Sequence, residues 1–263
     1  MSWRRRVNWR ESRWTGIAVL LLLGLLWEAA GRGAWVHKLL LPPLSVVLGR
    51  FFEVTASGEI LQHLGVSLWR AALGYALAAV FGIALGVAMG YWRRVYEACE
   101  ILLEFLRAVP PPAVIPIAMV FLGIGDSLKV FVIFFACFFP ILVNTIDGVR
   151  GADPVLIRTA HTFRLTRLQI VWRVILPAAG PYIMTGLRIA TAIALILTVI
   201  SEMIGATSGI GYFILGNQRT LNIASMYAGI LALALTGYAL NRAFLLVDGR
   251  LMAWHKGLTR HEQ

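Results

Sequence analysis

The chain has 263 residues, of which 59% are hydrophobic and 14% are charged, and its formal net charge is +11. This composition excludes an ordinary soluble globular domain and indicates an integral membrane protein. The basic residues fall in short clusters between apolar runs rather than in one patch, which argues against a nucleic-acid-binding protein and is typical of membrane topology.

The N-terminal part of the chain predicts a basic cytoplasmic segment followed by a first span. Residues 1–13 contain five arginines, which favours their retention in the cytoplasm. Residues 14–31 are apolar apart from Glu28 and are long enough to cross a bilayer. A cleaved signal peptide is the alternative, since a basic start and small residues fit one loosely. We favour a retained transmembrane helix, because Trp14 and Trp27 lie where interfacial anchors are expected.

An external connection, residues 32–66, precedes the second predicted span, residues 68–92. Prolines and glycines punctuate the connection, and a short amphipathic helix is predicted near residues 46–54. Within the span, three glycines are spaced four residues apart, so they share one helix face and allow a neighbouring backbone to approach closely. These predicted helix-packing residues are Gly82, Gly86 and Gly90.

The third predicted span, residues 95–122, is interrupted by prolines. Residues 110–112 are all proline and break the helix, and Pro116 is predicted to kink the part that follows. Broken spans are tolerated where neighbours or a water-filled cavity satisfy the freed backbone groups, so Pro112 is a candidate for lining a pathway. A charged stripe precedes the break and is predicted to be an exposed, salt-bridged interfacial face rather than a gate; it comprises Glu97, Glu100 and Glu104 with Arg93 and Arg107.

Three more spans are predicted, at residues 128–149, 178–203 and 223–247, before a tail at residues 251–263. A tight external turn precedes the first of them, and a glycine-rich external loop follows the second. Charged and polar groups within spans are costly and usually face a bundle interior or an aqueous cavity. The candidates for a translocation pathway are therefore Arg188, Asn144, Pro112, Thr191 and Glu202.

Two of these candidates have a structural alternative. Arg188 lies some six residues into its span, where a snorkelling structural arginine is an equally good interpretation. Glu202 lies at the other end of the same helix, where a solvated interfacial carboxylate is as good an interpretation as a functional one.

A polar, basic segment at residues 151–177 separates the fourth and fifth spans. Asp153 followed by Pro154 predicts a helix start, because aspartate caps free amides and proline at the first helical position gives up no needed donor. This helix is expected to end near Phe163.

A second helix start is predicted directly afterwards. Thr166 and Gln169 have the spacing of a capping box. Pro177 is then predicted to break the chain and open the fifth span, since the residue before a proline is disfavoured in helical geometry. We interpret this helix, break and helix as a cytoplasmic hairpin that a soluble partner contacts.

The positions of the basic residues support this layout. Seventeen of the 24 lysines and arginines fall in the segments predicted to be cytoplasmic, and five fall in the external ones. Six spans and this bias place both termini in the cytoplasm and predict an all-α integral membrane protein.

Several chemistries have no support in the sequence. It contains no GxxxxGK[ST], no HExxH and no GxSxG, so neither a nucleotide site, a metal hydrolase nor a serine hydrolase is indicated. The two cysteines, Cys99 and Cys137, lie in apolar runs without metal-binding spacing and are expected to be inert. We therefore predict a chain that is not an enzyme and binds no cofactor or metal.

The segment from Leu156 to Pro177, continuing as AAGPYIMTGLRIA, resembles the EAA loop of bacterial ABC importer permeases. Four flanking fragments are similar to the subfamily that imports nitrate, sulfonates, taurine and related small molecules: LLPPLSVV, SLWRAALGYALA, VPPPAVIPIAMVFLGIGDSLKV and SEMIGATSGIGYFIL. The resemblance extends from Trp14 to Trp254, and the order and spacing of the fragments make it specific.

The resemblance implies a type I ABC importer permease fold with six transmembrane helices in the bacterial cytoplasmic (inner) membrane. It implies a pore of two permease copies, a homodimer, with two ATP-binding cassette subunits that hold ATP and Mg2+, and an external substrate-binding protein. The lipid bilayer is the remaining partner, and nucleic acid is not one. The residues implied in ATPase coupling are Asp153, Arg158, Thr159, Ala160, Phe163, Arg164 and Leu165.

The chain departs from the family motif within this loop. Arg158, Thr159 and Ala160 stand where the motif has Glu-Ala-Ala, and Arg164 stands where it has glycine. The turn at Arg164 therefore either has ordinary backbone geometry or is strained. The change from an acidic to a basic residue at position 158 suggests an acidic groove on a dedicated ATPase.

Two other functions are compatible with a multi-span chain. An ATP-independent channel or secondary transporter is the main alternative, although no inverted repeat or ionisable relay supports a coupled carrier. A purely structural membrane anchor is the second, and the broken third span and Arg188 argue against it. The expected substrate is a small anion or organic solute such as sulfonate, taurine or nitrate, since Arg188 would complement an anion; neutral solutes remain open.

Overall fold

The structure, a computed structural model, describes residues 9–33 and 40–252 and is all-helical over these ranges. Most of the predicted N-terminal segment, part of the external connection and most of the C-terminal tail lie outside the described residues, as does the side chain of Trp14. The helices in chain order are α1 (Trp9–Arg32), α2 (Leu44–Ala56), α3 (Glu59–Tyr91), α4 (Arg93–Ala108), α5 (Ile115–Leu122), α6 (Asp126–Arg150), α7 (Pro154–Thr162), α8 (Arg167–Ile170), α9 (Leu176–Met203), α10 (Ile210–Arg219) and α11 (Ile223–Leu251).

Five of these helical stretches are long and apolar enough to cross a membrane. They are Thr15–Arg32, Glu59–Tyr91, Asp126–Arg150, Arg167–Met203 and Ile223–Leu251. A further candidate is the pair formed by α4 and the segment Pro111–Leu122, which meet at 93°. The helices of the predicted third span therefore bend at the three prolines, and the described chain has five candidate spans, or six if the bent pair counts as one.

The described residues form two compact units. The first comprises the described residues up to 61, namely 9–33 and 40–61, together with residues 213–232. In it, the Trp27 indole of α1 donates a hydrogen bond to the Pro42 carbonyl at 3.0 Å and packs edge-on against Tyr227 at 5.3 Å. Glu28 accepts hydrogen bonds from the backbone and side chain of Ser45, both at 2.9 Å. Glu28, the charged residue within the first span, therefore links α1 to α2 through these hydrogen bonds.

The second unit comprises residues 62–212 and 233–252, and α6 and α9 form its core. Twelve of the 25 residues of α6 are buried, which a helix at the edge of a bundle would not show. Small residues let α6 and α9 approach closely: a Cβ added at Gly148 would lie 2.7 Å from that of Tyr182, and one at Gly186 would lie 2.9 Å from that of Asn144.

The glycine face of α3 lies against α6 in this unit. A Cβ added at Gly86 would lie 2.6 Å from the Cβ of Thr145, and one at Gly90 would lie 2.6 Å from that of Val149. At Gly82 the nearest atom would be Ile141 Cγ2 at 3.1 Å. Real Cβ atoms essentially never approach within 3.0 Å, so Gly86 and Gly90 have space for hydrogen alone, while Gly82 is tightly but less strictly packed.

Two predicted loops contain more helix than the sequence indicated. The helix predicted near residues 46–54 is present as α2, but α3 begins at Glu59, inside the predicted external connection. Gly58, at φ +81°, ends α2, and the acidic Glu59 suits the first turn of the next helix. The glycine-rich external loop likewise contains α10. The Gly211 backbone N–H in its first turn donates to the carboxylate of Glu202, which caps this helix from the end of α9.

Two prolines do not act as predicted. Pro116 lies in the first turn of α5, where a missing N–H leaves no hydrogen bond unmade, so it starts a helix rather than kinking one. Pro177 does not break the chain: Leu176 before it is helical, at φ −60° and ψ −45°. A π-helical turn over Val171–Ile175 joins α8 to α9 and changes the hydrogen-bond register just before this proline.

Candidate functional site

The hairpin formed by α7 and α8 has the two caps predicted from the sequence. Asp153 Oδ1 accepts the Val155 backbone N–H at 2.7 Å, with Pro154 in the first turn of α7. Thr166 and Gln169 form the reciprocal capping box: the Thr166 N–H donates to Gln169 Oε1 at 2.8 Å, and the Gln169 N–H donates to Thr166 Oγ1 at 3.4 Å. Local side chains therefore define both helix starts.

Arg164 has a left-handed backbone at φ +54°, so the strained alternative for this turn is the one observed. The Leu165 N–H donates to the Ala160 carbonyl at 3.2 Å, and the Arg164 N–H donates to the His161 carbonyl at 2.9 Å. This pair of bonds is the Schellman motif that ends many helices, usually with glycine at the left-handed position. Arginine occupies it here at a cost of roughly 1–2 kcal/mol.

The hairpin has one buried face and one exposed face. Ala160, Ile170 and Ile175 are buried against Val149 of α6 and Ala179 of α9. The opposite face exposes large apolar side chains, Phe163 at 76% and Leu168 at 68% among them. Exposed arginines interleave with these side chains; they are Arg158, Arg164 and Arg167.

Of the predicted coupling residues, Ala160 belongs to the buried face and Leu165 is half-buried against the same cluster. The other five are exposed on the hairpin: Asp153, Arg158, Thr159, Phe163 and Arg164. An apolar surface with a basic rim, resting on a packed core, is the kind of surface to which another protein binds.

Arg188 and Thr191 lie together on α9, beside a cavity of about 510 Å³ between α9 and α11. Arg188 is exposed, and Asn241 of α11 lies on the same cavity. The remaining lining is mostly aliphatic, for example Leu195 and Val199. The structure therefore places one cation and two polar side chains on an otherwise apolar wall, where a small polar solute has few but specific contacts.

The other pathway candidates lie elsewhere. Asn144 donates to the Pro140 carbonyl at 2.8 Å within α6 and borders a second cavity together with Pro111 of the proline turn. Pro112, next in that turn, is exposed. Neither residue lines the Arg188 cavity.

Glu202 is buried, which excludes the solvated carboxylate that the sequence left open. Its side chain is 0% exposed and forms an ion pair with Arg70 of α3 at 2.8 Å. Ser67 Oγ donates to the carboxylate at 2.8 Å and the Gly211 N–H donates to it at 3.0 Å, while the Ile210 N–H donates to Ser67 Oγ at 2.8 Å. Glu202 thus caps the start of α10.

Arg70, the partner of Glu202, was not among the residues predicted from the sequence. Both are charged residues inside predicted spans, which is the signal that could have paired them. Among the residues that the structure describes, no group of three or more histidines, cysteines or acidic residues could hold a metal ion.

Comparison with known proteins places this arrangement of spans and hairpin in a family. Residues 78–253 match the family described as the inner membrane component of binding-protein-dependent transport systems. The chain belongs to this family. It is a multi-pass permease, the transmembrane subunit of an ABC importer, and the family match includes the hairpin, the Arg188 cavity and Glu202.

Named relatives cover nearly the whole permease. It is 32% identical over 252 residues to Bacillus subtilis SsuC, a permease protein named for aliphatic sulfonates transport, with 95% of this chain and 90% of the relative covered. It is 32% identical over 260 residues to TauC of Escherichia coli K12, the taurine transport system permease protein, with 95% and 94% covered.

The permease also resembles a solved structure in fold. A chain of the MetNI methionine ABC transporter, in inward-facing conformations, superposes with a TM-score of 0.52 at 20% sequence identity. The match covers 70% of this permease and 95% of that chain. The fold is therefore that of a type I ABC importer permease.

Proposed function

We propose that the permease works as a homodimeric pore in the bacterial inner membrane, with both termini in the cytoplasm. Its α7–α8 hairpin docks on a cytoplasmic ATP-binding cassette subunit, one for each permease copy. These subunits hold ATP and Mg2+, and an external binding protein delivers the substrate. ATP binding closes the ATPase pair, the hairpins move with it, and the spans alternate between outward-facing and inward-facing states.

The hairpin is the observation that carries this proposal. It is fixed to α6 and α9 through Ala160, Ile170 and Ile175, so a displacement of its exposed face is transmitted to two spans of the core. The exposed face combines Phe163 and Leu168 with three arginines, a composition suited to a groove that is apolar at its base and acidic at its rim.

We propose that the substrate is a small anion or small organic solute, of the sulfonate, taurine or nitrate kind. Support comes from Arg188, which adds the one charged side chain to the mostly apolar α9–α11 cavity, and from the names of the relatives. Thr191 and Asn241 supply further hydrogen-bonding groups on the same cavity. An anion passing this wall would gain charge-assisted hydrogen bonds from Arg188.

The test is to purify the tagged permease from membranes and to measure the ATPase activity that accompanies it. Arg164→Asp and Arg158→Glu reverse charges on the exposed face of the hairpin. Aspartate is tolerated in the left-handed region better than most residues, so Arg164→Asp retains the turn while changing the surface. We expect both variants to lose the ATPase subunit or its stimulated activity.

Arg94→Asp is the matched control, because it makes the same charge change on an exposed arginine of α4, outside the hairpin. It is expected to retain the ATPase subunit. If no ATPase accompanies the wild-type permease and ATP has no effect on reconstituted transport, the proposal fails and an ATP-independent channel or carrier takes its place. Unimpaired transport by Arg158→Glu with its own ATPase would remove the acidic-groove interpretation alone.

A further inference from the structure

Arg70 is the centre of a buried ion network that joins segments far apart in the sequence. Its side chain is 5% exposed. Besides Glu202, it contacts Asp126 at the start of α6, with Nε 2.8 Å and Nη2 2.6 Å from Oδ1. It also donates from Nη1 to the Ser208 carbonyl at 2.8 Å and from Nη2 to Ser208 Oγ at 3.1 Å. Arg70 therefore contacts three residues at once, Asp126, Glu202 and Ser208. The planar guanidinium group has enough N–H donors in a fixed geometry to do this, and the lysine ammonium group does not.

The segments that Arg70 holds are the turn at residues 123–126 and the loop at residues 204–209, which together we name the external rim. They touch each other, since a Cβ added at Gly205 would lie 2.8 Å from Ile124 Cγ2. Lys129 is 1% exposed, and its ammonium group donates a hydrogen bond to the Ile124 carbonyl, which holds the turn from its buried side. A buried cation therefore supports each segment of the rim.

The external rim presents an exposed apolar and acidic surface. Ile124 is 54% exposed and Ile204 is 40% exposed, with Thr207 also exposed between the loop glycines. The Asp126 side chain is 67% exposed although one of its oxygens contacts Arg70. The surface thus shows apolar groups and a negative charge, while the balancing cation lies underneath.

The rim lies at the ends of the spans away from the clusters of arginine, so it faces outward in the proposed orientation. The family is defined by dependence on a binding protein, so a soluble protein must meet this side of the permease. Exposed isoleucines beside a carboxylate suit a partner that has an apolar contact region and a lysine or arginine opposite Asp126.

We propose that Arg70 is the positioning residue for the docking site of the substrate-binding protein on the external rim. By holding Asp126 and Ser208 at once, it keeps the turn and the loop side by side, so that they present one continuous surface. This inference rests on the proposed function, because it requires a complex in which a binding protein stimulates an ATPase.

Gly209→Ala tests the proposal without altering any charge. Gly209 has φ +111°, and a Cβ there would overlap the Glu202 carboxylate, so alanine forces the loop away from the network. The matched control is Gly65→Ala on α3, where a Cβ meets no atom within 4 Å. Both variants are measured as the full permease and ATPase complex in lipid nanodiscs, titrated with its own binding protein.

We expect Gly209→Ala to raise the binding-protein concentration that gives half-maximal ATPase stimulation about tenfold, equivalent to ~1.4 kcal/mol of binding free energy. Gly65→Ala should leave this concentration unchanged. A loss confined to the stimulated rate supports a positioning role. Backbone strain at this position lowers the melting temperature in either case, so the unstimulated rate is the deciding measurement. A merely structural role would lower the unstimulated rate in the same proportion, and that result would overturn the proposal, as would wild-type stimulation.

Asp126→Asn gives the answer if Gly209→Ala does not yield a folded complex. It removes the exposed charge and leaves Arg70 its contacts with Glu202 and Ser208. We expect weaker stimulation whose dependence on salt is reduced, because a charge pair across the interface is lost. An unchanged salt dependence overturns the proposal. Absence of an ATPase from the wild-type preparation would instead refute the proposed function itself.

Discussion

At the scale of single residues, Arg164 is the position where sequence and backbone geometry conflict. The Schellman turn needs a positive φ, and arginine provides it only with strain. The same residue lies on the exposed face of the hairpin, where its charge is available to a partner. Strain at an exposed residue of a candidate interface suggests that the side chain is retained for what it contacts.

Replacing Arg164 by glycine should stabilise the permease. Removing the strain gains roughly 1–2 kcal/mol, and the added freedom of glycine in the unfolded chain returns part of it, which leaves a net gain of up to ~1 kcal/mol. The measurement is the unfolding midpoint of the purified permease in a denaturing detergent series.

Gly58→Ala is the opposite control, because it places a side chain at φ +81° where no atom lies within 4 Å. It should lower the midpoint through backbone strain alone. A midpoint that does not rise in Arg164→Gly would mean that contacts of the arginine side chain offset the strain.

Residue-scale features differ in how far the sequence predicts them. The Asp153 cap and the Thr166–Gln169 box were predictable because each joins residues two or three positions apart. For Arg70 and Glu202 the sequence indicated only that each charge inside a span needs a partner. It did not identify the partner, since 132 positions separate the two residues and only the packing of α3 against α9 brings them together. Local motifs can be recognised from neighbouring residues in the sequence, whereas tertiary pairs cannot.

At the scale of secondary-structure elements, the contact between α3 and α6 depends on glycine. Gly86→Ala places a Cβ against Thr145, where 2.6 Å of separation leaves no room. We expect a loss of about 1–3 kcal/mol, as is usual when atoms are added to a well-packed contact. Thermal unfolding of the purified permease measures it.

Gly65→Ala again provides the comparison for this substitution, on the same helix but facing open space. Alanine there should be neutral or slightly stabilising, because it is the better helix former. Equal effects of the two substitutions would show that helix propensity, and not close packing, decides the outcome at Gly86.

The ends of the helices were predicted less well from the sequence than the positions of the long spans. Apolar run lengths located the long spans, and the three consecutive prolines located the 93° break. The start of α10 was missed, because Glu202 and Ser67 cap it from other helices. Pro177 was misjudged because a π turn precedes it, and a change of hydrogen-bond register has no signature in composition.

At the scale of the whole molecule, the topology can be checked directly. With Cys99 and Cys137 first replaced by alanine, Thr207→Cys should react with a membrane-impermeant maleimide added to intact spheroplasts. Arg167→Cys should react only after the membrane is opened. Both positions are exposed, so access to the reagent depends on the side of the membrane and not on burial.

The reverse pattern of labelling would invert the orientation and move the external rim to the cytoplasmic side. Equal labelling of both positions in intact spheroplasts would mean that the loop and the hairpin lie on the same side, and that α9, the span between them, does not cross the membrane. The arginine distribution predicts neither result.

The π turn at Val171–Ile175 determines how the hairpin is oriented about the axis of the span that follows it. Each residue of an α-helix advances by about 100° around that axis. A chain lacking one residue of the turn could still form α8 and α9, yet the exposed face of the hairpin would be rotated by about a quarter of a circle. Insertions and deletions in these five residues would therefore turn the exposed face of the hairpin away from its partner without changing any residue on that face.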